Sequence, residues 1–342
     1  MEITFKTNPH KAVSFVESAV KKALAAAGYL MADIKYDGVR GNIVVDNTAD
    51  SLWLSRVSKT IPALEHLNGF DQRWADLLAD DRCIFPDGFM LDGELMVKGV
   101  DFNTGSGLLR TKWLKAKNYP QSTYAIEREW DNPKGKVPFH LNSAELKVVL
   151  YGVMPFHDMV EGKEYPVMHL LMREHVKAML LVLRDHFPEI EWDISECHEV
   201  YDYVELVALY EKARVDGHEG LVVKDPLGFY QRGKKSGFWK MKPENEADGI
   251  IQGVNWGTEG LANEGKVIGF EILLESGRVV SANNISQALM DEFTANVKTH
   301  GEDFYNGWAA QVAYMEETPD GSLRHPSFVM FRGTEANPTE KM

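Results

Sequence analysis

Apolar and polar positions in this chain follow two periods. Between Asn8-Pro9 and Gly28, Val13, Val16, Val20 and Leu24 recur at helical spacing. Asn as cap, Pro in the first turn and Gly as the stop predict one helix across that stretch. An apolar run over residues 29–35 and another through Ile43, Val44 and Val45 predict strands joined by an Asp37-Gly38 turn, with Lys35 at a strand end. Strands are also predicted over 52–57, 89–97, 146–154 and 221–223 and at Phe238-Trp239. Short helices are predicted over 61–67 and 72–78, and longer ones over 167–187 and 204–214. Residues 115–136, polar and containing Pro120 and Pro133, read as a surface excursion.

A polar link over residues 243–249 is the expected domain boundary. Beyond it come short strands over 250–256, 267–274 and 278–282, a helix over 286–297, and strands over 308–314 and 328–331. Several strands with one interposed helix in so short a span predict a small barrel of OB type. A length of 342 residues accommodates two domains, 1–242 and 243–342.

Composition narrows the class. Hydrophobic residues at 44% with 26% charged indicate a globular protein, and the two cysteines, Cys83 and Cys197, have neither disulfide-framework nor zinc spacing. No signal-peptide pattern and no uninterrupted apolar span is present, so a cytoplasmic protein is expected. The net charge of −14 argues against nucleic-acid binding until it is resolved locally: Arg232, Lys234, Lys235, Lys240 and Lys242 fall within eleven positions, while acidic residues concentrate over 189–205 and 316–320. Residues 228–235 nearly spell a P-loop. Lys235, however, stands where a magnesium-binding hydroxyl belongs, and a strand pattern follows instead of a helix. A basic loop against DNA phosphates or an ordinary exposed hairpin are the readings that remain.

Four segments carry candidate chemistry: Lys35-Tyr36-Asp37-Gly38-Val39-Arg40, Asp92-Gly93-Glu94, Glu219-Gly220-Leu221-Val222-Val223-Lys224 and Lys240-Met241-Lys242. A lysine amine attacks phosphorus only when neutral, and burial and nearby cations favour that form. Arg40, Arg56, Lys224, Lys240 and Lys242 are the cations that can supply such a field and also stabilise charge on a triphosphate. Glu94 and Glu219 are hard oxygen donors of the kind magnesium takes. Each piece has a plainer reading. Asp-Gly is a common hairpin turn, and lysines alternating with Trp239 fit the outer face of a strand.

In order and spacing, these segments, with Ser55-Arg56, resemble the nucleotidyltransferase motifs of ATP-dependent DNA ligases, a superfamily shared with RNA ligases and capping enzymes. Over nearly its whole length, including residues 53–60 and 315–321, the chain also resembles the small ligases of T-seven type phages. The resemblance implies an α+β fold, a nucleotidyltransferase domain of antiparallel sheets flanked by helices followed by a C-terminal OB-fold β-barrel. It implies sealing of 3′-hydroxyl/5′-phosphate nicks in duplex DNA during phage replication, repair or recombination. ATP would be the AMP donor, Mg2+ the metal, and a monomer in the host cytoplasm the working form.

Residue by residue, the resemblance makes Lys35 the nucleophile that forms lysyl-AMP. It places Asp33 and Ile34 at the adenine, Tyr151 stacked on the base, and Arg40 and Arg56 at ribose or phosphates. Glu94 is placed at the ribose or a metal-bound water, Glu219 at the metal, Lys224 at the α-phosphate, and Lys240 and Lys242 at the phosphate in transfer. The chain departs from the family where Tyr151 is followed by Gly-Val-Met-Pro-Phe-His in place of the usual Phe-Asp pair. The final Arg-x-Asp-Lys motif is also absent, leaving Arg324 or Arg332 to orient pyrophosphate. The rival readings are an RNA ligase or capping-type nucleotidyltransferase, and a non-catalytic OB-containing DNA-binding protein.

Overall fold

The computed structural model describes residues 1–333 apart from 129, 130, 133, 316 and 319. Pro133, named above, and positions 316 and 319 of the ranges given above lie outside the described residues. The fold is α+β. The chain divides into two compact units: Met1–Val13, Tyr36–His198 and Lys224–Phe238 form one, and Ser14–Lys35, Glu199–Val223 and the chain from Trp239 onward form the other.

The first unit is built on a six-stranded sheet in the order Glu191–Ile194, Leu146–Pro155, Gly88–Val97, Val39–Asp46, Asp50–Ser55, Gly69–Phe70. Its ladders are antiparallel except for Glu191–Ile194, which runs parallel to Leu146–Pro155. Ile43 and Val45 face a core that includes Trp53, Trp74, Leu91 and the helix His169–His186, while Val44, Leu54 and Met90 pack with Phe5 and Met159. Burial on both faces explains the unbroken apolar run Ile43-Val44-Val45.

Several expectations change here. Residues 10–14 form a strand, His10–Ser14, and not the first turns of a helix. Burial of the His10 ring against His169 and Phe238 overrides the local helical spacing. The Asp-Gly pairs are not hairpin turns. Leu30–Lys35 and Val39–Asp46 belong to different sheets, and Asp92-Gly93 lies inside Gly88–Val97. The excursion over 115–136 is partly structured: Trp113–Lys115 pairs with Lys136–Pro138, Ala116–Gln121 is a 3-10 helix, and Tyr119 and Val137 are buried.

In the second unit the helix Glu17–Ala27 ends at Gly28, whose positive φ of 82° lets its N–H reach the Leu24 carbonyl. Farther along, five strands lie in the order Val279–Ala282, Val267–Leu274, Asn245–Trp256, Ala309–Tyr314, Ser327–Gly333. The helix Gln287–His300, capped by the Ser286 hydroxyl, closes an aromatic core of Phe270, Phe293, Tyr305 and Phe328. No closed barrel ladder is formed among the described residues; one isolated bridge, Asn283 to Ser327, joins the ends of the edge strands. The expected link over 243–249 is mostly strand, because Asn245 to Ile250 pair residue by residue with Tyr314 to Ala309.

Candidate active site

Lys35 is the last residue of Leu30–Lys35, a strand buried at every position before it. The neighbouring strand is Gly220–Lys224, and Glu219 stands at its start. The Lys35 ammonium donates to Glu219 Oε2, and Lys242 donates to Oε1 of the same carboxylate. The two lysines and the glutamate keep only about a fifth to a quarter of their side chains exposed, at 23%, 27% and 21%. Burial opposes the Glu219 charge, but Lys35 and Lys242 outweigh it and hold the carboxyl below its ordinary range. Of the cations expected around Lys35, Lys242 stands beside it in this unit, and the carboxylate they share is the direct partner of both.

Local geometry explains why Gly follows Glu219. A Cβ on Gly220 would stand 2.1 Å from the Met241 carbonyl oxygen, and its φ is +150°. Only glycine lets the chain carrying Glu219 approach the end of the strand Gly233–Met241, just before Lys242, so closely. Arg214, on the helix Tyr203–Val215, donates through Nη1 to the carbonyls of His218 (3.0 Å) and Glu219 (3.1 Å) and fixes the intervening turn. Lys240 pairs with Glu244 at 2.5 Å.

In the first unit a second carboxylate is organised differently. Asp92, fully buried, accepts from Arg40 Nε at 2.7 Å and Nη2 at 2.6 Å, from Asn42 at 3.0 Å and from the Tyr230 hydroxyl at 2.7 Å. Arg40 Nη2 also reaches the His10 carbonyl at 2.9 Å. Burial opposes the guanidinium charge, and Asp92 more than restores it. Two residues on, Glu94 accepts from the Tyr151 hydroxyl at 3.1 Å, and Arg40 lies 5.0 Å from the Tyr151 ring centre. Burial, then Glu94, keeps the Tyr151 phenol neutral and so a donor. A ladder irregularity at Asp92/Gly93 shifts the register that separates these two acids. Any Cβ on Gly93 would lie 2.5 Å from the Val149 carbonyl oxygen.

Asp33 and Ile34 lie on the strand that ends at Lys35. Asp33 and Ile34 are buried, Lys224 is buried with its ammonium 5.9 Å from the Phe238 ring, and Arg56 is exposed in the turn after Asp50–Ser55. Arg324 pairs with Glu17, and Arg332 Nε lies 3.4 Å from Asp248. Arg232, counted in the basic segment, is buried and donates to the carbonyls of Lys6 (2.6 Å) and Thr7 (3.1 Å). It braces the fold and is withdrawn from any DNA-facing patch. The strand Gly233–Met241 occupies the place where a P-loop would need a helix.

Residues 9–242 match the family model for the ATP dependent DNA ligase domain, and residues 243–304 and 299–332 match that for the DNA ligase C-terminal domain. This chain belongs to the ATP-dependent DNA ligases. It is 70% identical to the DNA ligase of Enterobacteria phage T3, with 99% of each chain covered, and 66% identical to that of Escherichia phage T7, covering 99% of this chain and all of the relative. The solved structure of the bacteriophage T7 ATP-dependent DNA ligase in complex with ATP superposes with a TM-score of 0.87 at 66% identity, covering 96% of this chain and 100% of that one. A Chlorella virus DNA ligase-adenylate, 18% identical with a TM-score of 0.54 over 98% of this chain, shares the fold. The ligase motifs therefore occupy two clusters, Lys35–Glu219–Lys242 and Arg40–Asp92–Tyr230 with Glu94–Tyr151. Arg214, Asn42 and Tyr230 escaped sequence reasoning, since their partners are distant in sequence and no local pattern marks them.

Proposed function

We propose that this ligase seals nicks in duplex DNA through an AMP covalently held on Lys35. The observation that carries the reading is the Lys35 amine at a strand end, held with Lys242 on one glutamate. In the first step the neutral Lys35 amine attacks the α-phosphorus of ATP. A P–N bond forms, the bond to the oxygen bridging to the β-phosphate breaks, the nitrogen gives its extra proton to solvent, and pyrophosphate leaves. An oxygen of the nick's 5′-phosphate next displaces lysine from AMP. The 3′-hydroxyl oxygen then attacks that 5′-phosphorus, losing its proton, and AMP departs.

Glu219 holds Lys35 in place before ATP arrives and releases its amine for attack. Lys224, Lys240 and Lys242 take the phosphate oxygens, and one of Arg324 and Arg332 orients pyrophosphate. Asp33 and Ile34 contact adenine, Tyr151 stacks on it, and Arg56 contacts the ribose or phosphates. Arg40, anchored on Asp92, supports that side of the nucleotide. The described residues hold no group of three or more His, Cys, Asp or Glu suited to a metal. The donors fit a magnesium ion that takes Glu94 or Glu219 with phosphate oxygens and water; bound there, it would neutralise phosphate charge. A domain boundary at Lys242/Pro243, where the two family matches meet, a monomeric working form, and action in the cytoplasm of a phage-infected host during DNA replication, repair or recombination complete the reading.

Incubation with α-labelled ATP and magnesium tests it. Protein-bound label from ATP and not GTP, absent in Lys35→Ala and chased into sealed product by nicked duplex, is the expected outcome. Folded, unadenylated protein that takes up no label would refute it.

A further inference from the structure

Although the chain carries a net charge of −14, residues 110–117 and 134–140 contain Arg110, Lys112, Lys115, Lys117, Lys134 and Lys136 and no acidic residue. All six cations are exposed. None forms an ion pair with a described acid, whereas exposed lysines elsewhere, such as Lys177, Lys212 and Lys266, do. The backbone beneath is structured. Trp113 lies opposite Pro138, Leu114 opposite Val137, and Lys115 opposite Lys136. Side chains alternate along a strand, so Leu114 and Val137 turn inward, while Trp113, Lys115, Lys136 and Pro138 share the outward face. Phe139 N–H donates to the Lys112 carbonyl at 3.0 Å, Ala116 N–H to that of Gly135 at 2.8 Å, and His140 N–H to the buried Tyr119 hydroxyl at 3.0 Å.

Two features of this face have no structural use. Like charges directly opposite on an antiparallel pair destabilise it, yet Lys115 and Lys136 stand in that relation. Trp113 is 52% exposed, with the Lys112 ammonium 5.8 Å from its ring. A dense polyanion accounts for both, because it would neutralise the opposed lysines and pack sugar against the indole.

We propose that this ribbon is a docking surface for the sugar-phosphate backbone of duplex DNA. The proposal rests on the ligase reading and adds a surface outside the nucleotide-handling motifs. Binding there is independent of base sequence and governed by counterion release.

The test compares the full chain with Lys115→Gln/Lys136→Gln and with Lys136→Glu. Binding of the adenylated proteins to a nicked duplex and to a single strand of equal length is measured across salt concentrations. The double variant should bind the duplex about tenfold more weakly near 0.1 M salt, with a log K against log salt slope shallower by about 2. Lys136→Glu, which places opposite charges across the ribbon, should also bind more weakly while its thermal midpoint stays level or rises. Adenylation by ATP needs no DNA and reports that the variants are folded. Unchanged duplex affinity and slope would overturn the proposal, as would a loss confined to the single strand, which would mark a base-stacking site. If the unaltered chain neither takes up AMP nor seals, the ligase reading fails, and the same salt titrations run on the unadenylated proteins still decide the surface.

Discussion

Asp92 and Glu219 are both carboxylates held by partly exposed cations, yet their own burial and the number and kind of their hydrogen-bond donors differ. Asp92 is fully buried, and its four hydrogen bonds come from a guanidinium, an amide and a phenol on neighbouring strands and a packed aromatic. Glu219 keeps about a fifth of its side chain exposed, and its two partners are ammonium groups on flexible four-carbon stems. A buried ion pair is costly to break singly, because the remaining charge has no water to turn to. A partly exposed lysine pair parts and re-forms at lower cost than a buried one. The first carboxylate is therefore a strut and the second a holder that can let go, the property required of a group beside a nucleophile.

Substitution of each acid separates these roles. Asp92→Ala leaves the Arg40 guanidinium, one-fifth exposed, without its carboxylate and Asn42 and Tyr230 without their acceptor, and should lower unfolding free energy by about 3 kcal/mol, measured by urea denaturation. Domains typically have only about 5–15 kcal/mol in all, so partial unfolding at working temperature is expected. Glu219→Gln should cost about 1 kcal/mol of stability and yet slow adenylation on the order of 10²-fold. Equal stability losses in the two variants would erase the distinction.

Acid should reach the strut side before it reaches the holder. His10 stacks on His169 beside Phe238 and Tyr230 in the first unit, and burial, then Arg40, lowers its pKa to about 4. His169 is lowered well below its ordinary value, by burial first and then Lys224. Unfolded histidine titrates near 6.5, so between the two values the unfolded chain binds more protons and stability falls with falling pH. The contribution is complete above about 6.5 and gone below about 4, a loss of roughly 3 kcal/mol for His10. Glu219, whose pKa is lowered, contributes above the unfolded carboxylate value and loses its share only at more acidic pH. Urea midpoints at pH 7, 5.5 and 4.5 should therefore fall early in the series, and His10→Phe should flatten that early limb. An unchanged limb in the variant would place the loss elsewhere.

The sequence disclosed the holder side better than the strut side. Strand alternation, the Gly28 stop and the order of the motif segments all lie in neighbouring residues, and the strand that ends at Lys35 followed from them. The Asp92 network did not, because the strand carrying Arg40 and Asn42 and the segment carrying Tyr230 reach it from distant parts of the chain. The strand predicted over 89–97 does contain Asp92-Gly93, but only the neighbouring strand shows that Gly93 is there to admit the Val149 carbonyl. The strand His10–Ser14 was hidden because its helical spacing is real and its burial is tertiary. Residues 115–136 read as irregular because their two short strands lie some twenty residues apart in sequence.

The smallest expected effect concerns how the holder itself is held. Arg214 touches neither lysine; it acts through the carbonyls of His218 and Glu219. Hydrogen bonds from a charged group are worth about 1.5–3 kcal/mol, and part of that is spent on the fold of the turn. Arg214→Gln should therefore slow adenylation about tenfold, with KM for ATP little changed, since the residue positions Glu219 and binds no nucleotide in this reading. A stability loss alone would lower the amount of active protein without changing the rate per active molecule, which titration of adenylated sites would reveal. The pairing with Glu219→Gln is the sharper measurement. Two residues acting through one carboxylate give a double variant hardly worse than Glu219→Gln alone, whereas independent effects multiply. A multiplied loss would mean that Arg214 braces something other than the holder.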